Sequence, residues 1–315
     1  MNGVRVLGII FESLCTVEVI KDPIEALSKA PDGGVLAVII GVQGPSYRPV
    51  GAMMCIFPNG ERTGSLSSGC IEADLVLHAK SALENGRPKS IVYGLGSPFI
   101  DIELPCGGGL EILLIPNPDT AILAQLTARR NQRLACSVVI KTKTGTFELA
   151  EVQPTKRDSD TFVVRLLPDI NFFIFGKGPE ASTFAALVQS TGYENLLLSP
   201  DNETLNAARQ LNGASRHLKS PQFPTDIAPD KWSAIVLFFH DHEWEPEILL
   251  GALRTNAFYI GAQGSQRARD NRNEKLRALG ATKSELQRLK GPIGLVPSAR
   301  DSRTLAVSVL AEILS

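Results

Sequence analysis

The sequence has no excess of either charge: 32 Lys and Arg stand against 33 Asp and Glu, a formal net charge of -1 over 315 residues. Binding along a nucleic-acid backbone draws on a clustered surplus of cations, so no nucleic-acid partner is expected. No stretch approaches the roughly 20 uncharged apolar residues that cross a bilayer. The segment from Met1 to Ile20 is interrupted by Arg5, Glu12 and Glu18 and lacks a small-residue cleavage site, so it reads as a folded segment, not an export signal. A cytoplasmic protein with no membrane contact is expected. Cysteine is scarce, and its five positions (Cys15, Cys55, Cys70, Cys106, Cys136) are odd in number and never spaced as C-x-x-C. That pattern argues against both a disulfide framework and a zinc ribbon. There is no internal repeat and no low-complexity tract. No serine-histidine-acid arrangement can be nominated, and His78, the one histidine of the first half, falls mid-helix and reads as structural.

What is present is an ordinary globular composition, 43% hydrophobic and 21% charged, in a chain longer than one core usually supports. Two domains are expected, and the sequence changes rhythm where they meet. From Val35 to Leu167, short apolar runs alternate with glycine and proline turns: Val35 to Val42, Met53 to Phe57, Ser90 to Tyr93, Ile100 to Leu104, Leu110 to Ile115, Ala135 to Lys141 and Phe162 to Leu167. Helical spacing appears there only at Ile71 to Glu84 and Thr120 to Arg130. From Asn171 onward, apolar strands at Phe172 to Phe175, Leu196 to Leu198, Ala234 to Phe239 and Phe258 to Ile260 alternate with helical stretches up to Leu314, the pattern of a parallel sheet covered on both faces. Thr282 with Glu285 forms a capping-box signature. The expected fold class is α/β: a strand-rich mixed domain at 1–168, then a Rossmann-like domain with a parallel sheet at 169–315. The polar stretch Pro154 to Asp160 reads as a hairpin loop inside the first domain.

Several segments carry chemistry. Gly176-Lys177-Gly178-Pro179-Glu180-Ala181 is a G-x-G-x-x-A run between a strand and a helix, with Asp201 at the distance of a ribose-binding acid. Its alternative is a Rossmann-shaped domain without a working nucleotide site, which Pro179 favours by removing one amide from the anion cradle. His240-Asp241-His242-Glu243 and Gly261-Ala262-Gln263-Gly264-Ser265 follow the next two strands on the same rim. The first reads as hydrogen-bonding more readily than as a metal site; the second is glycine turn chemistry in its plainest reading. In the first half, the loop from Gly44 to Gly51 offers Ser46 and Arg48 to an anion. Gly64-Ser65-Leu66-Ser67-Ser68-Gly69-Cys70-Ile71-Glu72 opens a helix with a thiol at its N-terminus, and Leu104-Pro105-Cys106-Gly107-Gly108-Gly109 places a second thiol in a flexible turn. A turn cysteine is usually inert when alone. Thiols, serines, amides and an arginine together suit a molybdenum-dithiolene phosphate better than a hydride acceptor.

In this order, Gly44 to Met53, Gly64 to Glu72, Pro105-Cys106-Gly107-Gly108, Phe175-Gly176-Lys177-Gly178, His240-Asp241-His242, Tyr259 to Arg267, Pro292-Ile293-Gly294-Leu295 and Ala306 to Ile313 resemble the xanthine dehydrogenase accessory protein family, XdhC and CoxI. The resemblance implies a chaperone that binds molybdenum cofactor (molybdopterin), protects its sulfurated form, and delivers it to an apo xanthine dehydrogenase-like molybdoenzyme. It brings a cysteine desulfurase into view as a second partner, and a homodimer is expected. Cys70 and Cys106 match the family cysteines and become the candidate metal ligands. The wider set of cofactor contacts takes in Ser46, Arg48, Ser67, Ser68, Gly69, Glu72, Gly107, Gly108, Gly176, Gly178, Asp201, His240, His242, Gly261, Gly264 and Ser265. This chain departs from the family pattern at Ser68, where glycine is usual, at Pro179, where histidine is usual, and at Val296-Pro297-Ser298. The alternative is an NAD(P)-dependent oxidoreductase, or a site for another nucleotide, in the second domain.

Overall fold

A computed structural model describes residues 22–97, 104–240 and 243–315. The expectations for Met1 to Ile20, Cys15, the strand from Ile100, Asp241 and His242 lie wholly or mainly outside the described residues. The chain divides into two compact units, Met1–Pro168 and Asp169–Ser315.

The first unit runs α1 (Pro23–Ser28), β1 (Val35–Gln43), β2 (Met53–Ile56), β3 (Arg62–Gly64), α2 (Glu72–Asn85), β4 (Lys89–Gly94), β5 (Gly109–Pro116), α3 (Thr120–Asn131), β6 (Cys136–Lys141), β7 (Phe147–Ala150), β8 (Lys156–Arg157) and β9 (Thr161–Leu166). Its strands form a five-stranded antiparallel sheet, β3-β2-β1-β5-β4, and a four-stranded one, β7-β6-β9-β8. β1 lies inside the larger sheet with both faces covered, which is why Val35 to Ile40 is one unbroken buried run. Its odd residues Val35, Ala37 and Ile39 pack with Ile71, Leu75, Ala79 and Ala82 along α2. Its even residues Leu36, Val38 and Ile40 pack with α1, α3 and the smaller sheet through Ile24, Leu123, Val138 and Phe162. Six of the short elements, α1, β3, β7 and β8 here and two edge strands below, leave no trace in the sequence pattern. Each is too short to show a period. The polar stretch from Pro154 contains β8, which pairs with β9.

The second unit runs β10 (Asn171–Gly176), α4 (Pro179–Ser190), β11 (Asn195–Ser199), α5 (Asn202–Gln210), β12 (Ser215–His217), β13 (Ser233–Phe238), α6 (Glu245–Leu253), β14 (Tyr259–Ala262), α7 (Gln266–Ala278), α8 (Lys283–Arg288), β15 (Leu289–Lys290) and α9 (Ser302–Leu314). All pairs are parallel and the order is β12-β11-β10-β13-β14-β15. Counted from β10 this is the 3-2-1-4-5-6 order of a Rossmann sheet, with its switch point between β10 and β13. Thr282 and Glu285 do close a reciprocal capping box on α8. No helix among the described residues is long and apolar enough to cross a membrane.

Inside this unit Arg272 of α7 and Glu245 of α6 form an ion pair with both side chains almost fully buried, Arg272 Nη2 lying 3.0 Å from Glu245 Oε1. The guanidinium also donates to the carbonyl of Gln263, fixing the chain just beyond β14. Two charges taken out of water together cost much less than one left alone there. Arg272→Ala is therefore expected to destabilise the unit by about 3–5 kcal/mol in urea unfolding, whereas replacing both partners by apolar residues recovers most of the loss.

Candidate functional site

Between β3 and α2 the chain buries Leu66 and Ile71, while Ser68, Gly69 and Cys70 between them are exposed. Its shape comes from one carboxylate. Glu72, in the first turn of α2 and 3% exposed, turns back under the loop. Oε1 accepts from Ser65 Oγ at 2.8 Å, Leu66 N at 3.0 Å and Ser67 N at 2.8 Å, while Oε2 accepts from Ser67 Oγ at 2.5 Å, Gly69 N at 2.9 Å and Ile71 N at 3.3 Å. Burial alone raises a carboxyl pKa, but here the bonds from Ser67, Ser65 and Leu66 outweigh it and hold Glu72 at about 2. Ser68 at φ 62° and Gly69 at φ 108° turn the chain through the left-handed region, so that Cys70 stands out at the mouth of α2.

Three further loops meet at one end of the five-stranded sheet. Gln43 at the end of β1 and Gly94 at the end of β4 both pair with Gly109 at the start of β5. Leu95 N donates to Gly108 O at 3.1 Å. A Cβ on Gly108 would run into the carbonyl of Pro45, so only glycine lets the turn bearing Cys106 lie against the Gly44 loop. Tyr93, buried at the end of β4, donates to Asp74 Oδ2 at 2.6 Å, which holds the first turn of α2 over this same end. Cys106, half-buried, packs against the cluster containing Leu66 and Ile71, which flank the Cys70 loop. The loop before α2 and the turn bearing Cys106 thus both reach this end of the sheet. Arg48 is exposed in the Gly44 loop and its guanidinium has no partner among the described residues, while Tyr47 of the same loop and Leu95 after β4 are each 59% exposed. The Ser46 hydroxyl donates to Arg48 O at 2.8 Å and accepts from Arg48 N at 3.3 Å, bracing its own loop.

Cys55 and Cys136 are buried in the core between the two sheets, where burial pushes both thiols up. His78 is mid-helix, 3.3 Å from Asp74 through Nε2 and 2.9 Å from Lys89 Nζ through Nδ1. Burial and the Lys89 charge lower its pKa against the pull of Asp74. The sequence did not reveal this Tyr93-Asp74-His78-Lys89 chain, because its members come from α2 and β4; the helical spacing of Asp74 and His78 was the one hint available.

In the second unit Gly176, Gly178, His240, Gly261, Gly264 and Ser265 do line the carboxyl ends of β10, β13 and β14. Gly176 lies tight against Phe238 O and Ala181, and the Ser265 hydroxyl caps α7 by accepting from Ala268 N at 3.2 Å. Asp201 is the N-cap of α5: Oδ2 accepts from Thr204 N at 2.8 Å and from Thr204 Oγ1 at 2.5 Å. The Thr204 hydroxyl bond is the main cause of its lowered pKa. That hydroxyl in turn accepts from Gly178 N at 2.8 Å. Thus the expected ribose acid and one amide of the expected phosphate turn already serve each other. Pro179 has no amide to give, and the Glu180 carboxylate sits in the first turn of α4, where a pyrophosphate would be repelled.

These features define a class: a two-unit α/β protein with a thiol-bearing rim on an antiparallel sheet and a Rossmann sheet whose first turn disfavours anions. Sequence comparison makes this more particular. The XdhC and CoxI family model matches residues 27–94 and the XdhC Rossmann domain model matches residues 172–313. The chain is 33% identical over 310 residues to the molybdenum cofactor insertion chaperone PaoD of Escherichia coli, covering 94% of this chain and 87% of that protein. It is 26% identical over 328 residues to a Bacillus subtilis protein named as a probable xanthine dehydrogenase subunit, covering 92% of this chain and 95% of that protein. A crystal structure from Bacillus halodurans, described as a xanthine dehydrogenase, shares the fold with a TM-score of 0.75 at 22% identity, covering 92% of this chain and 93% of that one. The chain belongs to the XdhC and CoxI family.

Three measurements check this geometry. Glu72 binds its proton more weakly folded (about 2) than unfolded (4.5), so its contribution is complete above the unfolded value and lost as pH falls through the folded one. At about 1.4 kcal/mol per unit this amounts to about 3 kcal/mol. Glu72→Gln is expected to lower stability by that order at neutral pH, with the gap to wild type closing between about pH 4.5 and 2 in urea titrations. Ser68→Gly removes a left-handed non-glycine residue while keeping the Ser68 amide bond to Ser65 Oγ, and is expected to raise the unfolding free energy by up to about 1 kcal/mol. In a Cys15→Ser background, a thiol reagent should label Cys70 first and Cys106 next, with Cys55 and Cys136 reacting only on unfolding.

Proposed function

We propose that the rim bearing Cys70 and Cys106 holds molybdenum cofactor as cargo and that the chain delivers it, in sulfurated form, to an apo xanthine dehydrogenase-like molybdoenzyme. The observation that carries this reading is the division of the described cysteines: Cys70 is exposed and Cys106 half-buried on loops at one end of the five-stranded sheet, and the other two are sealed in the core. A molybdenum centre held by dithiolene sulfurs is soft and takes thiolate readily, whereas the cofactor's terminal phosphate calls for a guanidinium. Cys70 and Cys106 supply the first and Arg48 the second. Glu72 keeps Cys70 presented without touching cargo, because all its described contacts are with its own loop. The exposed Tyr47 and Leu95 give the rim an apolar margin suited to an enzyme partner. The name of the Escherichia coli relative supports the same reading. A cysteine desulfurase as sulfur donor, a cytoplasmic setting and a homodimer complete the proposal.

The nicotinamide alternative gains nothing from the second unit, where Asp201 and Gly178 are occupied by Thr204. Purified protein mixed with molybdenum cofactor and desalted is expected to retain pterin fluorescence. Cys70→Ala and Cys106→Ala should each lose most of it, and Cys55→Ala should keep it. Retention that survives loss of both rim thiols would exclude the rim as the cargo site.

A further inference from the structure

The last helix of the second unit is apolar around most of its circumference. On α9, Leu305, Ala306, Val309, Leu310 and Ile313 enter the core that also holds Phe184 and Val188 of α4. The opposite face carries Thr304, Val307, Ala311 and Leu314, all exposed, with Val307 at 59% and Leu314 at 45%. A helix in contact with water normally turns charged residues outward, and one that is apolar all round is covered. The acid nearest this face, Glu312, turns aside: Oε1 accepts from the Tyr259 hydroxyl at 2.9 Å, and Oε2 accepts from Gly294 N. Leu295 N donates to Ser308 O at 3.3 Å and Val296 N to Ser308 Oγ at 2.7 Å, which holds the loop after β15 against the helix beside Val307. Leu295 and Val296 are 58% and 49% exposed there, so the apolar surface extends onto the loop. Exposed apolar side chains are ordinary when single, whereas a contiguous group on a fixed backbone marks a contact surface.

From Thr304 to Leu314 the exposed residues advance in steps of three, four and three, the repeat of a seam along which two helices lie side by side. The seam matches itself about its middle. An antiparallel copy sets Val307 opposite the small Ala311 and Thr304 opposite Leu314, alike in both halves, as a two-fold axis requires. Charge selects the same arrangement. Arg303 is the exposed charge beside the seam, and a parallel copy would set it against its own image. An antiparallel copy sets it at the other helix's last turn, whose carbonyl end is partially negative and which has no basic residue of its own. We infer that α9 is the contact between two copies of this chain, packed antiparallel along this seam with Leu295 and Val296 at its border. The inference gives a place to the homodimer put forward above and rests on it, not on the cargo reading.

Light scattering of the full chain over a range of protein concentrations is expected to show a dimer. Val307→Glu and Ala311→Lys each put an unpaired charge into the seam, and each should raise the dissociation constant by about a hundredfold or more with the circular dichroism spectrum unchanged. Leu211→Glu, at a comparably exposed apolar position after α5, should leave the dimer intact. Mixing the Val307→Glu and Ala311→Lys proteins should restore a dimer, because the carboxylate introduced at 307 then faces the ammonium introduced at 311 of the other copy. A parallel seam would not bring the two together. A dimer that persists in Val307→Glu overturns this interface and leaves the homodimer standing. Variants that dissociate and do not pair again on mixing overturn the antiparallel seam, and a wild-type chain that is monomeric throughout overturns the homodimer with it. Pterin retention by the same samples reports separately on the cargo.

Discussion

The carboxylate of Glu72 is the constraint from which the first unit's rim takes its form. Six donors from residues 65–71 converge on its two oxygens, fixing the exposed stretch from Ser68 to Cys70 between the buried Leu66 and Ile71. The carboxylate can stay buried and ionised because those donors replace the water it has lost. It is held in place by the helix it begins, which is anchored through Leu75, Ala79 and Ala82 against the five-stranded sheet. The exposed thiol of Cys70 thus inherits its position from the hydrophobic core through one charged intermediary.

The two units treat charge in opposite ways. On the first, the exposed Arg48 and the thiols of Cys70 and Cys106 are the groups proposed to meet a soft, anionic ligand. On the second, a Rossmann order of strands meets a first turn in which proline removes one amide and the Glu180 carboxylate lies 3.4 Å from His240 Nε2. Strand order alone would suggest a dinucleotide, but Asp201 and the Gly178 amide are both bonded to Thr204. Fold and site carry separate information here.

Much of the architecture was legible in the residues. The unbroken apolar run of β1, the glycine-separated strands of the first half and the strand-helix alternation after Asn171 each follow from which faces are covered, and periodicity records that directly. The parallel Rossmann sheet, the strand-rich first half and the capping box on α8 all match that pattern. The edge strands β12 and β15 did not show, since two or three residues carry no period. Asp201 stood where a ribose acid belongs, yet its side chain caps α5; one carboxylate serves either purpose, and only the neighbouring Thr204 hydroxyl decides.

By itself, then, the sequence determined the class of each half, the glycine turns and the identity of the thiols, because these depend on local pattern and residue chemistry. Tertiary structure alone decided which cysteines are accessible, that Glu72 serves its own loop, and that Asp201 caps its own helix through Thr204. Those outcomes depend on desolvation and on side chains brought together from distant segments, and neither is written in any single stretch of chain.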